Sequence, residues 1–154
     1  MAKLSAFKTD SRAINEGEWV RVGEEYDDLE IKTRGLTDAY FDAQAAKQRR
    51  AAVGFGGDTS KLPTALRRKI NIECLGQHVI LDVRNLEDDV TGQPITVERF
   101  KALLEDADYG DLVTACFKAA TQVGQRRAAD LEEAAGNSEA VSAGTSNGGG
   151  TANS

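Results

Sequence analysis

The sequence is poor in the residues from which metal centres and catalytic sites are usually built. It has one histidine, two cysteines and two prolines among 154 residues, and aromatic residues make up only 6%. Cys74 and Cys116 form no CxxC pair and follow no export signal, so we interpret them as reduced, buried thiols. With few aromatics, a core has to be built from Ala, Leu, Val and Ile, which favours closely packed helices.

Basic residues and long apolar runs are also scarce. Lys and Arg number 19 against 25 Asp and Glu, which gives a formal net charge of −6 at pH 7. Because nucleic-acid affinity comes mainly from Lys and Arg neutralising phosphates, we expect no nucleic-acid partner. No apolar run is long enough to cross a bilayer, and the N-terminus lacks the charged-then-apolar order of a secretion signal. We therefore expect a cytoplasmic protein with no membrane association.

The distribution of residue types along the sequence predicts one domain with an N-terminal arm and a C-terminal tail. Residues 1–17 mix charged, small and apolar residues without a sustained period, and we predict an extended N-terminal arm there. Residues 18–136 carry strand and helix patterns and form the predicted domain. Residues 137–154 are rich in Gly, Ser, Thr and Asn, and their apolar mass is too small to offset the entropy of ordering. We predict a disordered tail.

Two short runs at the start of the domain predict β-strands, Glu18–Val22 and Leu29–Arg34. The second run alternates, and its apolar face is formed by Leu29, Ile31 and Thr33. This is the period of a half-buried strand. The polar segment Gly23–Asp28 has about the length of a hairpin loop, so the two runs predict a β-hairpin.

Helical patterns follow the hairpin. A first helix is predicted from Thr37, a plausible N-cap, to about Val53, where a glycine cluster breaks it. A second is predicted from Pro63, since apolar residues recur every fourth position up to Cys74. Its end stays open, because Val79–Leu81 fits either the last helical turn or a short buried strand.

The stretch from His78 to Leu112 organises the chain, because one element stops there and the next begins. An apolar run gives way to an acidic turn and a Gly-Gln-Pro break. Thr96 is then the predicted N-cap of a third helix, with Ile95 and Phe100 in a hydrophobic staple and Ala107 on its apolar face. A fourth helix is predicted over 111–135, with Leu131 on its inward side and a stop at Gly136-Asn137. The predicted fold is α+β, an N-terminal β-hairpin packed on about four helices.

Cys74 and His78 are the first candidate site, because two residues four apart on a helix suit metal ligands or a thiol beside its base. His78 is the only histidine and no cysteine signature surrounds it, so a packed, inert pair is the favoured interpretation. The acidic residues Glu87, Asp88 and Asp89 lack the ligand alternation of a calcium loop and predict a solvated turn. We interpret the acids of the hairpin loop as surface charge; they are Glu24, Glu25, Asp27, Asp28 and Glu30.

Glycine and basic clusters give no sharper site. Gly54–Gly57 lies between helices and follows no strand, so it predicts a linker rather than a phosphate-binding loop. Arg67–Lys69 and Arg126-Arg127 have no interleaved aromatics and are interpreted as solvated helix faces, with a partner-facing patch as the open alternative. No catalytic residue, cofactor or metal ligand is predicted, and partner-binding residues stay unassigned.

Several motifs follow one another in a characteristic order: EWVRV, LEIKTRG, LTDAY, HVILDVRNL, TGQPI, TVERFKALLEDADYGDL and LEEAAGN. This order resembles that of the tail assembly chaperones of long-tailed, siphovirus-like bacteriophages, over roughly Glu18 to Asn137. One departure is Val83, where the family often has an aromatic residue. Many members have a frameshifted long form, and the codons of Gly148–Gly150 are a candidate slippery run.

The resemblance implies a non-enzymatic protein of the host cytoplasm. Such chaperones bind and solubilise the tape-measure protein, help recruit tail tube subunits, and are typically absent from the finished virion. Self-association is a further possibility that the resemblance leaves open. Two alternatives remain at this point: a structural minor tail protein retained in the virion, and an enzyme built on Cys74 and His78.

Overall fold

A three-stranded antiparallel sheet organises the fold, in a computed structural model that describes residues 1–124. The strands are β1 (Glu18–Arg21), β2 (Glu30–Thr33) and β3 (Ile80–Arg84), in the order β1-β2-β3. The predicted hairpin is confirmed by the pairing of β1 with β2. The open end of the second predicted helix resolves as a strand, because β3 pairs along the other edge of β2.

Residues 1–124 also contain five α-helices: α1 (Ser11–Glu16), α2 (Asp38–Ala52), α3 (Thr64–His78), α4 (Val97–Leu103) and α5 (Gly110–Gln122). Short 3-10 turns lie between them at Leu4–Phe7, Glu24–Tyr26, Val53–Phe55, Thr59–Lys61 and Ala107–Tyr109. The α+β class and the predicted helices between the hairpin and the fourth helix are confirmed.

The core lies between one face of the sheet and the helices. Val20 pairs with Ile31 and Ile31 with Val83, which places three buried aliphatic side chains side by side across the strands. α5 lies against β1 and β2, and its buried face consists of Ala115, Cys116, Ala119 and Ala120. Small residues on this face let the helix approach the sheet closely, as the scarcity of aromatics predicts.

The N-terminal residues correct the prediction of an extended arm. Asp10 caps α1, because its Oδ1 accepts hydrogen bonds from the backbone N–H groups of Arg12 (3.1 Å) and Ala13 (3.2 Å). The backbone of α1 is tied to the rest of the fold, since the Gly35 N–H donates to the Ile14 carbonyl at 2.9 Å. Ala13 is buried. The prediction is wrong for residues 11–16, because a capped helix packs there.

The fourth predicted helix ends earlier than expected. Val123 is extended (φ −60°, ψ 138°), and Gly124 has φ +79°, a conformation that strains residues with a side chain. A Cβ at Gly124 would lie 2.7 Å from Ile14 Cγ1, so the close approach also requires glycine. Residues 125–154, including the predicted remainder of this helix, its Gly-Asn stop and the predicted tail, lie outside the described residues.

The predicted start of α4 is confirmed, since Thr96 Oγ1 accepts the Arg99 N–H at 3.2 Å and Ile95 and Phe100 are both buried. Thr37 occupies the N-cap position of α2, but its side chain makes no capping hydrogen bond. Ala107 is exposed, which corrects its predicted place on a buried helix face. The reason is that α4 ends at Leu103 and a 3-10 turn follows.

Candidate partner-binding groove

The Cys74–His78 pair lies in the last two turns of α3. Cys74 is fully buried, and this burial is the main reason that the pKa of its thiol is raised. His78 is half-buried. Burial also raises the pKa of the Cys116 thiol, to about 12. Both thiols are free and protonated at neutral pH, so the pair lacks the exposed, low-pKa thiol that nucleophilic catalysis requires.

The acidic turn is held together by the side chain of Asp88. Asp88 Oδ2 pairs with Arg99 Nη2 at 2.7 Å, while Oδ1 accepts the N–H groups of Val90 (2.8 Å) and Thr91 (3.2 Å). The hydrogen bond from Arg99, followed by those from Val90 and Thr91, lowers the pKa of the Asp88 carboxyl. Within residues 1–124, no group of three or more His, Cys, Asp or Glu side chains is placed to hold a metal ion.

The basic triplet on α3 splits into two roles. The Arg67 guanidinium donates to the backbone carbonyls of Leu62 (3.2 Å) and Thr59 (2.9 Å), and so fixes the loop before the helix. Arg68 and Lys69 instead project from the exposed side of α3 and line a surface groove. Arg126-Arg127, the second basic cluster, lies outside the described residues.

The groove has a volume of about 610 Å³ and lies between α3 and α5. One wall is an α3 stripe at helical spacing, formed by Ala65, Arg68, Lys69 and Ile72. The other side is formed by the segment that joins α4 to α5 and by the first turns of α5; its residues are Leu104, Glu105, Asp106, Ala107, Gly110, Val113 and Thr114. The groove therefore lies where α3 faces the start of α5 and the segment before it.

The floor of the groove is apolar and its upper edges carry charge. Ile72 and Val113 are half-buried and Leu104 is buried, so aliphatic surface lines the bottom. Small residues, Ala65 and Gly110 among them, leave room above it. The sequence left a partner-facing patch at Arg67–Lys69 as an alternative but did not indicate a groove, because Ala65 to Ile72 has the pattern of an ordinary helix face and the groove depends on the position of α5.

A second depression of about 640 Å³ lies at the edge of the sheet where β2 begins and β3 ends. Tyr26, Leu29, Leu86 and Leu112 line it together with the acids Asp27, Asp28 and Glu87. These acids include part of the hairpin-loop and acidic-turn clusters that the sequence marks as surface charge.

The glycine-rich segment Gly54–Gly57 lies between α2 and α3, as predicted for a linker.

The chain has an α+β fold with a surface groove lined by α3, α5 and the segment that joins α4 to α5. A family model described as YdaY prophage protein matches residues 36–137, and the chain therefore belongs to the YdaY prophage protein family and is phage-derived. The match covers α2 to α5 and β3, and so includes the whole groove. No curated protein and no solved structure is significantly similar to the chain. In residues 1–124, no helix combines the length and apolar composition needed to span a membrane.

Proposed function

We propose that the chain is a non-enzymatic tail assembly chaperone, which binds and solubilises the tape-measure protein and helps recruit tail tube subunits. The observation that carries this proposal is the groove between α3 and α5, whose floor is aliphatic, because amphipathic helices bind through their apolar face to grooves of this kind. Membership of a prophage protein family supports a phage function, and the order of the sequence motifs, which resembles that of the tail assembly chaperones, supports this one.

The groove suits such a partner for a physical reason. A long helical protein that waits for its tube exposes apolar stripes, and exposed apolar patches of that kind aggregate. Covering a stripe in the groove removes apolar surface from water, which contributes about 25 cal/mol per Å². The chaperone acts in the host cytoplasm before the tube closes, and it leaves the tape measure when tube subunits take its place.

Co-expression with the tape-measure protein of the same prophage tests the proposal, followed by size-exclusion chromatography with light scattering. We expect the tape-measure protein, insoluble alone, to become soluble and to elute together with this chain. The proposal fails if the tape-measure protein still aggregates. If the chain then runs alone as a large ring or tube, it is a structural tail subunit instead.

A further inference from the structure

The two sides of the groove carry charges of opposite sign. Arg68 and Lys69 belong to the α3 wall, whereas Glu105 and Asp106 belong to the segment that joins α4 to α5. Among residues 1–124, the side chains of Arg68, Lys69 and Glu105 form no ion pair or hydrogen bond. Their charges are available to a bound partner.

We propose that the groove binds an amphipathic helix of the tape-measure protein with acidic residues along one flank of its apolar stripe and basic residues along the other. The acidic flank lies against Arg68 and Lys69, and the basic flank lies against Glu105 and Asp106. This inference rests on the proposed function and names the chemistry of the partner segment.

The dimensions of the groove fit about two turns of such a helix. The α3 stripe from Ala65 to Ile72 rises seven residues, which is roughly 10 Å at 1.5 Å per residue. Apolar residues of the partner at positions i, i+3 or i+4, and i+7 then reach the aliphatic floor. The small residues Ala107 and Gly110 at the edge let the partner backbone come close.

The charge pattern also sets the direction of the bound helix. Turning a helix end for end in the groove, with its apolar stripe still facing the floor, exchanges its two flanks. The reversed helix places acids against Glu105 and bases against Arg68, and such like-charge contacts are unfavourable. A partner with one-sided charges therefore binds in one direction only.

Two synthetic helical peptides of identical composition test the chemistry directly. In the first, Glu residues flank the Leu stripe on one side and Lys residues on the other; in the second, both flanks are mixed. By fluorescence anisotropy we expect the one-sided peptide to bind about tenfold more tightly at low salt. The difference should shrink at high ionic strength, because salt screens exposed charges. Equal affinity of the two peptides overturns the proposed charge pattern.

Charge reversal in the full chain tests the groove with the tape-measure protein itself. The double variant Arg68→Glu, Lys69→Glu makes both sides acidic, and the double variant Arg49→Glu, Lys61→Glu is the matched control. Arg49 and Lys61 are exposed and lie outside the groove, and both variants change the net charge equally. We expect the soluble tape-measure protein to fall about tenfold with the groove variant and to stay unchanged with the control.

A third variant separates charge complementarity from a folding defect. Adding Glu105→Lys to the groove variant removes the net negative charge of the Glu105-Asp106 side and so restores part of the charge difference between the two sides. Part of the solubilisation should then return. If wild type and both double variants solubilise the tape-measure protein alike, the groove inference is overturned and the chaperone function stands. If the wild type itself does not solubilise it, the chaperone function fails and the groove inference falls with it.

Discussion

Asp88 fixes the course of the chain between β3 and α4, because one carboxylate satisfies two backbone N–H groups and the Arg99 guanidinium. Its turn brings the chain back so that Glu87 and Pro94 form an isolated bridge, and Ile95 enters the core. The acidic turn therefore has a structural role, and the carboxylate of Asp88 holds it in place.

The Asp88→Asn variant should destabilise the fold in a pH-dependent way. The pKa of Asp88 is lowered in the folded state, so its stabilisation is complete above the unfolded value of about 3.9 and is lost as pH falls through the folded value. Urea unfolding should show the variant less stable than wild type at neutral pH, with the difference vanishing in strong acid. Asp89→Asn, at an exposed neighbour, is the control and should match wild type throughout. An equal deficit at both pH values would contradict the ion-pair account.

The two cysteines should react only when the chain opens. Cys74 and Cys116 are fully buried and their thiol pKa values are raised by burial, so little thiolate is exposed to a reagent. We expect iodoacetamide at pH 8 to modify neither residue in the folded protein within the time that modifies both in urea, as read by mass spectrometry. Rapid modification of Cys74 under native conditions would instead support the alternative of an enzyme built on Cys74 and His78.

The N-cap residues of α4 and α2 should contribute differently to the stability of the fold, because only the Thr96 side chain makes a capping hydrogen bond. Thr96→Ala removes the hydroxyl that caps α4 and should lower the free energy of unfolding by about 1 kcal/mol. Thr37→Ala is a matched control at the N-cap position of α2, where the hydroxyl makes no capping hydrogen bond. In urea unfolding, Thr37→Ala should lower the free energy of unfolding by clearly less than Thr96→Ala does. Equal losses at both positions would show that the hydroxyl of Thr96 contributes little through capping.

The elements that local patterns specify could be predicted from the sequence. Alternation at Leu29, Ile31 and Thr33 predicts β2, and the Thr96 cap predicts the start of α4, because both signals act within a few residues. The end of α5 could not be predicted in this way. An apolar period continues to Leu131 in the sequence, whereas the helix stops where Gly124 meets Ile14, a contact between distant parts of the chain.

The groove could not be predicted from the sequence for the same reason. Arg68 and Lys69 read as a solvated helix face because periodicity describes one helix at a time. Their place in the groove depends on Val113 and Glu105, which are distant in sequence but line the same groove in the fold. Clusters of residues such as histidines can be recognised in the sequence alone, whereas a groove lined by segments that are distant in sequence cannot.

At the scale of the whole molecule, α1 and its N-cap residue Asp10 connect two segments that are distant in sequence. The Asp10 N–H donates to the Gly124 carbonyl at 3.2 Å, and the Gly35 N–H donates to Ile14. α1 therefore links the segment after α5 to the segment after β2. Residues 1–9 contain no buried side chain, and Leu4 and Phe7 are largely exposed.

Two truncations should separate these roles. Removing residues 2–9 keeps the Asp10 cap and should leave the urea midpoint nearly unchanged. Removing residues 2–16 deletes Ala13 and Ile14 from the core edge and should cost about 2–4 kcal/mol, the range for losing buried aliphatic groups. A large loss from the shorter truncation would show that the exposed N-terminal turn also stabilises the domain.

The proposed function also predicts where the whole protein is found during phage growth. On the proposed function, the tape-measure protein binds reversibly to the apolar floor and exposed charges of the groove, because exposed ion pairs contribute little stability each and exchange readily with water. We expect mass spectrometry to detect the chain with the tape-measure protein in lysates of induced cells, but not in purified particles, where the tail tube protein serves as the positive control. The minor tail protein alternative predicts the reverse, a fixed number of copies in every particle. Retention at that level would mean that the groove holds a permanent neighbour in the tail, and the chaperone function would be wrong.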